Sequence, residues 1–333
     1  MNEFELIAQI RQLADGGAAD GLIMGIGDDC AVVEKGGGMV WLLTVDTLIE
    51  SVHFRRDWHP PELLGRKAVA VNVSDIAAMG GRPLFALLSL GLPADFDPAW
   101  AKRFMQGLTA ACREQGCLLI GGDTVCSPER VSLTVTLIGE MRKEQVLRRD
   151  AAQPGDTIWV SGPLGWSAAG LALLQAGKTL ADAEWRQLIL AHLDPQPCVE
   201  LGRFLAASGL VHAMMDMSDG LATDLAQICT ASKVGAAVEA ELLPGGGELA
   251  AAAELLKADP LRWMLSGGED YELLFTTASE NSGRLCQQAA AQGWTIYPAG
   301  RIIAGQGLRL VRSCGRIEEH ISFQGFDHFR KEE

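Results

Sequence analysis

The chain has 333 residues, enough for about two domains that each bury a core of their own. Its residues are 48% hydrophobic and 21% charged, as in ordinary globular proteins, and the formal net charge of −14 argues against a duplex nucleic acid as a partner. The sequence has no run of about 18 apolar residues that would predict a membrane span, and its acidic start differs from a signal peptide. The eight cysteines form no C-x-x-C pair, so we expect reduced thiols in a cytoplasmic protein.

In chain order, the first half alternates strand-like and helical patterns. Apolar runs predict strands at 39–45, 84–92 and 131–139, and the last of these alternates apolar with hydroxyl side chains. Helices are predicted over 61–79 and 98–115, each with a proline in its first turn. We expect the apolar side chains of these elements to form a core.

A polar stretch near residues 142–155 marks the predicted domain boundary. We therefore expect an N-terminal domain over 1–145 and a C-terminal domain over 146–333. The glycine run at 244–247 is interpreted as a surface turn. Helices beside mixed sheets favour an α+β (mixed α/β) fold over strict strand–helix alternation. In the second half the patterns predict strands at 157–160, 236–240, 271–277, 294–299 and 308–312, and helices at 167–175, 198–207, 220–232 and 282–292.

Six short segments rich in Gly, Ser and Asp suggest the chemistry of the chain. We predict that they are turns, several of them at strand ends, where side chains reach a shared cleft. Two bare carboxylates about 4 Å apart repel by ~1 kcal/mol in water and by more in a partly dry cleft. A fold that gathers several of them needs a counter-ion, and carboxylates together with substrate phosphates suit Mg²⁺. The segments, none of which contains a lysine, are 25–29, 44–47, 72–75, 121–124, 216–220 and 266–270.

Two motif-like stretches are set aside. The segment 25–29 begins like a dinucleotide-binding fingerprint, but Cys30 replaces the third glycine and two acids stand where a pyrophosphate would approach. The stretch 172–179 ends like a phosphate-binding P-loop, but Ala172 replaces the first glycine. A helix that ends at Gly177 explains this stretch better.

Several candidates keep two interpretations. Arg149 is a candidate clamp on nucleotide phosphates because its planar fork fits oxyanions, but an arginine in a linker is usually solvated. Ser218 or Asp219 could cap the helix that follows them, or the N-terminus of that helix could bind a phosphate. His53 is either a substrate contact or an ordinary loop histidine.

These segments, in this order and spacing, resemble the thiamine-monophosphate kinase family of the aminoimidazole ribonucleotide synthetase-like ATP-binding superfamily. Each motif is weak alone, but six in order are specific, and the resemblance runs from Phe4 to Phe329. The motifs are Gly25-Ile26-Gly27-Asp28-Asp29, Asp46-Thr47-Leu48, Asn72-Val73-Ser74-Asp75, Gly121-Gly122-Asp123-Thr124, Asp216-Met217-Ser218-Asp219-Gly220 and Ser266-Gly267-Gly268-Glu269-Asp270.

The resemblance implies a fold and a reaction. The N-terminal domain would form a β-barrel across the interface of a homodimer, and the C-terminal domain would be α+β and sandwich-like. The γ-phosphoryl group of ATP would pass directly, in line, to thiamine monophosphate in the final step of thiamine diphosphate biosynthesis, with several Mg²⁺ ions.

The resemblance also implies roles for single residues. The catalytic carboxylates would be Asp29, Asp46, Asp75 and Asp123. The metal-site residues would be Asp29, Thr44, Val45, Asp46, Asp75, Asp123, Asp216 and Asp219, with Val45 acting only through its carbonyl group. The residues at ATP would be Gly122, Asp123, Arg149 and Ser218. The residues at thiamine monophosphate would be His53, Glu269 and Phe326.

Two alternatives remain. Another ATP-using enzyme of the superfamily, such as selenophosphate synthetase, would normally carry a reactive Cys or selenocysteine in an N-terminal glycine-rich loop, and the segment before Gly25 has none. A non-catalytic metal- or nucleotide-binding dimer could use the acidic segments for order alone. For the kinase we expect no catalytic His or Lys, because the acceptor phosphate is already ionised near neutral pH.

Overall fold

The structure, a computed structural model, describes residues 3–14, 19–312 and 317–319. In the first half the helices are α1 (Glu3–Ala14), α2 (Pro61–Ala78) and α3 (Pro98–Glu114). The strands are β1 (Leu22–Met24), β2 (Ala31–Gly36), β3 (Met39–Ile49), β4 (Arg82–Pro93), β5 (Leu118–Ser127) and β6 (Ser132–Arg142). These strands form a sheet in the order β1-β2-β3-β6-β4-β5, in which β4 and β5 run parallel and the other neighbours antiparallel.

The second half builds another sheet with its own helices. The strands are β7 (Thr157–Val160), β8 (Val211–Asp216), β9 (Gly235–Glu239), β10 (Leu273–Thr277), β11 (Tyr297–Ile303), β12 (Gly307–Val311) and β13 (Ile317–Glu319), in the order β13-β12-β9-β11-β7-β10-β8. The helices are α4 (Trp166–Gln175), α5 (Arg186–Leu193), α6 (Val199–Ser208), α7 (Leu221–Ser232), α8 (Gly246–Leu256), α9 (Pro260–Ser266) and α10 (Ser282–Ala291). The predicted mixture of helices and mixed sheets is therefore confirmed.

Helix α2 lies at the centre of the fold. It begins with Pro61 and is buried along most of its length, against α3, α6, β3 and β6. Glycines on its neighbours allow a close approach. A Cβ atom at Gly107 of α3 would lie 1.9 Å from the carbonyl oxygen of Glu62, and one at Gly202 of α6 would lie 2.2 Å from that of Ala77. Side chains on α2 are therefore held by a rigid surround.

Three of the six acidic segments are not turns, so that prediction is wrong for them. The segment 44–47 lies inside β3, 72–75 inside α2 and 121–124 inside β5. Asn72 is a strong turn former, yet it is fully buried, and its side-chain amide donates to the carbonyl oxygen of Ala68 at 3.2 Å. Packing of the whole element therefore overrides the local preference for a turn.

Two glycine-containing stretches lie at the ends of helices. The surface turn predicted at 244–247 is wrong, because Gly246 begins helix α8. Conversely, α4 ends at Gln175, and Gly177 follows with a φ of 81°. The prediction of a helix end in place of a P-loop is thus confirmed.

A hydrophobic core joins the two halves of the chain. It contains Val69 and Leu137 from the first half together with Leu205, Met214 and Phe275 from the second. The division into domains 1–145 and 146–333, and the barrel across a dimer interface, stay predictions. Within the described ranges, no helix is both long and apolar enough to cross a membrane.

Candidate active site

Carboxylates from distant parts of the chain converge beside α2. Asp29 precedes β2, Asp75 lies near the end of α2, and Asp216 ends β8. Each offers one oxygen atom, and these oxygens all lie within 4.8 Å of one another. Acids from three separate sequence segments thus form one group, called the carboxylate cluster below.

Burial and mutual repulsion make this cluster costly when it is ionised. Burial is the main reason why the pKa values of Asp29 and Asp75 are raised, and neighbouring carboxylates add to the rise. Burial raises the pKa of Asp216 to about 6. The Oδ2 atoms of Asp29 and Asp216 are buried and have no hydrogen-bond partner. These unpartnered hard oxygens fit a divalent cation such as Mg²⁺.

Strand β3 brings two more oxygen donors to the cluster. The Thr44 hydroxyl donates to Asp75 Oδ2, and Asp46 shares a hydrogen bond with Asp75. Because side chains alternate along a strand, Val45 points to the opposite face, where it is 58% exposed. The Val45 side chain therefore faces away from the cluster, and a role for its carbonyl group stays a prediction.

Arg149 is held at the cluster and is not a solvated linker residue. Its side chain is only 13% exposed, and its Nε donates to Asp28 Oδ1 at 3.3 Å. Its other nitrogens donate to Asp29 and to the Gln227 side chain. The guanidinium thus offsets part of the repulsion at Asp29. A contact with ATP phosphates would replace some of these bonds, and it stays a prediction.

The segment 216–220 is anchored by an acid that the sequence analysis missed. Neither Ser218 nor Asp219 caps α7, because the cap position is Gly220, with a φ of 105°. Asp224, fully buried in the first turn of α7, accepts hydrogen bonds from the backbone N–H groups of Asp219 at 3.2 Å and Gly220 at 3.0 Å. An acidic residue in a first helical turn is the signal that could have revealed it.

A cavity of about 990 Å³ adjoins the cluster and is lined from both halves of the chain. Asp46 lines the cavity and also bonds to Asp75, so the cluster lies at the cavity wall. Apolar walls with a few convergent polar groups are typical of small-molecule sites. The lining includes Asp46, His53, Trp58, Val71, Ser218, Asp219, Trp263, Glu269 and Tyr271.

Glu269 is fixed in this cavity by two basic side chains that the sequence analysis also missed. Lys67 Nζ lies 2.8 Å from Glu269 Oε1, and His192 Nδ1 lies 3.2 Å from Oε2. Burial favours a higher pKa for Glu269, but Lys67 and His192 outweigh it and hold that pKa well below its usual range. Glu269 is therefore ionised near neutral pH. The available signal was a lysine directly before the apolar run 68–71.

The loop that carries Glu269 has an unusual backbone. Glu269 has a φ of 68° and Tyr271 a φ of 51°, a region that residues other than glycine rarely adopt. The backbone N–H of Glu269 donates to the carbonyl oxygen of Ser218 at 2.7 Å, and that of Tyr271 donates to Met217 at 2.9 Å. Strained positions that are held in this way cluster at functional sites.

Gly122 and Asp123 are not brought to the cluster within a single chain. They lie on β5, at the edge of the first sheet, and Asp123 is exposed. With neighbouring strands ~4.8 Å apart, the three spacings from β3 to β5 put Asp123 ~14 Å from Asp46. A Cβ atom at Gly122 would lie 1.8 Å from the carbonyl oxygen of Leu88, so the close approach of β4 and β5 requires glycine there. The roles of Gly122 and Asp123 at ATP and metal stay predictions.

Comparison with known proteins places this site in a family. The model of the AIR synthase related protein N-terminal domain matches residues 27–141, and that of the C-terminal domain matches 153–313. A thiamine-monophosphate kinase from Bacillus subtilis (strain 168) is 35% identical over 99% of this chain and 100% of its own. Another, from Escherichia coli (strain K12), is 39% identical over 98% of each chain. The chain belongs to the thiamine-monophosphate kinase family.

Solved structures agree with membership of this family. A structure titled AaThiL complexed with AMPPCP and TMP matches with a TM-score of 0.86 and 35% identity, over 98% of this chain and 97% of that one. The hydrogenase maturation protein HypE in complex with ATP matches with a TM-score of 0.70 over 96% of this chain and 95% of that one. Its identity of 20% shows a shared fold alone.

Two of the three residues that the family resemblance assigns to the acceptor, His53 and Glu269, line the cavity. His53 Nδ1 accepts a hydrogen bond from the backbone N–H of Ile49 at 3.0 Å, which sets the orientation of its ring. Phe326 lies outside the described residues, so its contact with the acceptor stays a prediction.

Proposed function

We propose that this protein transfers the γ-phosphoryl group of ATP to thiamine monophosphate, giving thiamine diphosphate and ADP. The observation that carries the proposal is the carboxylate cluster, with its unpartnered oxygens, at the wall of a cavity that also holds an ionised glutamate. Curated relatives over the full length are named thiamine-monophosphate kinase, and AaThiL is titled as a complex with AMPPCP, an ATP analogue, and TMP.

The cluster would bind magnesium. Asp29, Asp75 and Asp216 would supply the first ligands, with Asp46 and Asp219 beside them at the cavity wall. Magnesium, when bound there, would offset the charges of the two phosphate groups and stabilise charge on the transferring group. The protein itself contributes position: the buried elements α2, β3 and β8 fix the carboxylates before substrates bind.

The rest of the cavity would bind the acceptor. Trp58 and Trp263 offer flat apolar surfaces, and Glu269 offers an ionised carboxylate to a cationic thiazolium ring or an aminopyrimidine. No strong general base is needed, because the acceptor phosphate is ionised near neutral pH.

We further propose a homodimer that forms through the edge strand β5. Leu118, Ile120 and Val125 on this strand are 61%, 55% and 50% exposed. An edge strand with exposed apolar side chains invites pairing with another chain. Gly122 and Asp123 lie on the same strand, so pairing would fix their positions for the predicted contacts with ATP.

A cytoplasmic location suits the free cysteines of the described residues.

A phosphate-transfer assay tests the proposed function. Purified protein is incubated with γ-labelled ATP and either thiamine monophosphate or thiamine, with and without Mg²⁺. We expect label in thiamine diphosphate only when both Mg²⁺ and thiamine monophosphate are present. Release of phosphate to water without transfer would favour another enzyme of the superfamily. Metal-dependent thermal stabilisation without any turnover of ATP would favour a binding module.

A further inference from the structure

We propose that Lys67 is a positioning residue for the acceptor: with His192 it holds the carboxylate of Glu269 at the cavity wall, where that carboxylate recognises the nitrogen heterocycle of the acceptor. This inference rests on the proposed function. It concerns how the cavity selects the acceptor, and it assigns no role to Lys67 in the transfer step itself.

The burial of Lys67 is the first argument. Its side chain is 0% exposed, and lysine is almost never fully buried unless it is paired. Its Nζ lies 2.8 Å from Glu269 Oε1 and donates to the carbonyl oxygen of His192 at 3.1 Å. The ammonium group is thus bonded to the loop that carries Glu269 and to helix α5. Removing it would leave a largely buried carboxylate without its main counter-charge.

His192 holds the other oxygen of the same carboxylate. Its Nδ1 lies 3.2 Å from Glu269 Oε2 and 3.1 Å from Ser167 Oγ. His59 lies near by, and its Nε2 contacts the carbonyl oxygen of Leu193 at 3.0 Å. Burial, with Lys67 next in importance, lowers the pKa values of both histidines and so disfavours their charged forms.

Glu269 is held at both oxygens yet still faces the cavity. Its side chain remains 24% exposed and shares the cavity lining with Trp58 and Trp263. A carboxylate has about four lone-pair positions, and Lys67 and His192 occupy two of them. The remaining positions can accept from a ring amino group or face a cationic ring. The unusual φ of 68° at Glu269 persists because the surrounding contacts hold the loop in this conformation.

Helix α2 separates this contact from the metal site. Lys67, Val71 and Asp75 follow one another at four-residue spacing along one side of the helix. Lys67 and Asp75 are therefore ~12 Å apart along its axis, at a rise of ~1.5 Å per residue. A change at Lys67 should therefore affect the binding of the acceptor ring and leave the metals and ATP in place.

Steady-state kinetics of four variants test the proposal. Lys67→Met and Glu269→Gln each remove one partner, and the double variant Lys67→Met/Glu269→Gln replaces the ion pair by neutral groups. Lys143→Met is the matched control, because it removes an exposed ion pair of 2.9 Å with Glu34, away from the cavity. We expect the KM for thiamine monophosphate to rise ~10- to 100-fold in the first three variants, as on loss of a charge-assisted hydrogen bond.

The proposal also fixes what should not change. The KM for ATP and kcat at saturating acceptor should stay within about threefold of wild type, and Lys143→Met should match wild type throughout. Because Lys67 acts through Glu269, the double variant should bind the acceptor no more weakly than Glu269→Gln alone. Losses that multiply in the double variant, or an equal rise in both KM values, would overturn the proposal.

The experiment distinguishes a failure of this proposal from a variant that does not fold and from a failure of the proposed function. If Lys67→Met does not fold, the neutral double variant still decides, and wild-type affinity for thiamine monophosphate in it refutes the proposal. If wild type transfers no phosphate, the proposed function fails. Equilibrium dialysis with labelled thiamine monophosphate then still tests the role of Lys67, with the same expected loss of affinity.

Discussion

At the scale of single residues, the carboxylate cluster lowers the stability of the folded chain when its acids are ionised and no cation is bound. Asp75 is buried, bonds to Thr44 and Asp46, and faces Asp29 and Asp216. Its raised pKa means that the ionised form is disfavoured in the folded chain. A bound cation would favour the ionised form. Under the proposed function, this arrangement would serve the binding of a cation at a cost in stability.

Replacing Asp75 by asparagine, its neutral isostere, tests both the metal role of this residue and its cost in stability. In Asp75→Asn we expect kcat to fall by ~100-fold or more, as a metal ligand is lost. The melting temperature without metal should stay unchanged or rise, because one repelling charge is gone. Asp182→Asn, at a half-buried position outside the cavity lining, is the control and should keep wild-type activity. Near-normal turnover of Asp75→Asn at saturating Mg²⁺ would contradict the metal role of the cluster.

The raised pKa values also predict how pH and magnesium act together. The folded pKa of Asp216, about 6, lies above the value of ~3.9 for an unfolded aspartate. Between these values the folded chain binds more protons than the unfolded chain, so this contribution to metal-free stability falls as pH rises towards 6 and beyond. Magnesium bound at the cluster would remove that cost. Its effect on the melting temperature should therefore be larger at pH 7.5 than at pH 5.

Thermal unfolding with Mg²⁺ and with EDTA at both pH values measures this effect. In Asp216→Asn the pH dependence of the magnesium effect should shrink, which separates the cluster from the general response of an acidic protein. An equal shift at pH 5 and pH 7.5 in wild type would count against the account.

The sequence revealed the acids better than their partners. Glycine and serine beside an aspartate are local signals, and they found Asp29, Asp75 and Asp216. Lys67 and Asp224 were missed because their meaning lies in contacts with Glu269 and with the loop before α7, which a single sequence does not record. Pairing across 202 positions, as between Lys67 and Glu269, depends on the whole fold.

At the scale of elements, α7 owes its starting geometry to Asp224. Its Oδ2 bonds two backbone N–H groups of the loop that carries Asp219. In Asp224→Ala both groups would lose their partner inside the protein, and we expect a loss of about 1–3 kcal/mol in the free energy of unfolding. The variant should also need more Mg²⁺ for half-maximal activity, because the loop that carries Asp219 loses two of the hydrogen bonds that fix it.

Chemical denaturation and a magnesium titration of activity measure both effects. Asp224→Asn serves as the control, since its amide oxygen can take the place of Oδ2 and still accept both hydrogen bonds, and its losses should be smaller. Unchanged stability and magnesium dependence in the alanine variant would show that the loop is held by other contacts.

Several of the helices and strands could be predicted from the sequence, but their exact bounds and the conformation of single segments were less predictable. Helix α2 was expected from Pro61 onward, yet its segment 72–75 was also interpreted as a turn from local preferences. Strand β11 begins at Tyr297, later than the predicted 294, because Trp294 packs on Phe204 outside the sheet. Boundaries of this kind depend on neighbours that local patterns do not contain.

At the scale of the whole molecule, the cavity between the two halves and the edge strand β5 are the features that sequence patterns could not locate. Composition indicated an acidic globular protein, and the pattern of predicted elements favoured an α+β fold. The order of the strands and the core shared by the two halves follow from contacts between distant segments. The dimer proposed through β5 is therefore best tested by experiment.

Charged substitutions on β5 test the dimer. In the double variant Leu118→Asp/Ile120→Asp, both on an exposed edge, we expect monomers by light scattering and a marked loss of kinase activity. Leu255→Asp, at a position 47% exposed on α8, is the control and should keep the wild-type mass. A variant that keeps the mass of wild-type dimers would refute pairing through this strand, and a monomeric wild type would refute the dimer itself.

The central claim is that the three converging carboxylates bind the divalent cation of a phosphoryl transfer. The most direct measurement is a crystal structure with Mn²⁺ in place of Mg²⁺, an ATP analogue and thiamine monophosphate, with anomalous scattering to locate the metal. We expect an anomalous peak ~2.0–2.3 Å from oxygens of Asp29, Asp75 and Asp216, with phosphate oxygens completing the coordination. An anomalous peak at another place, with no metal at these three side chains, would contradict the account.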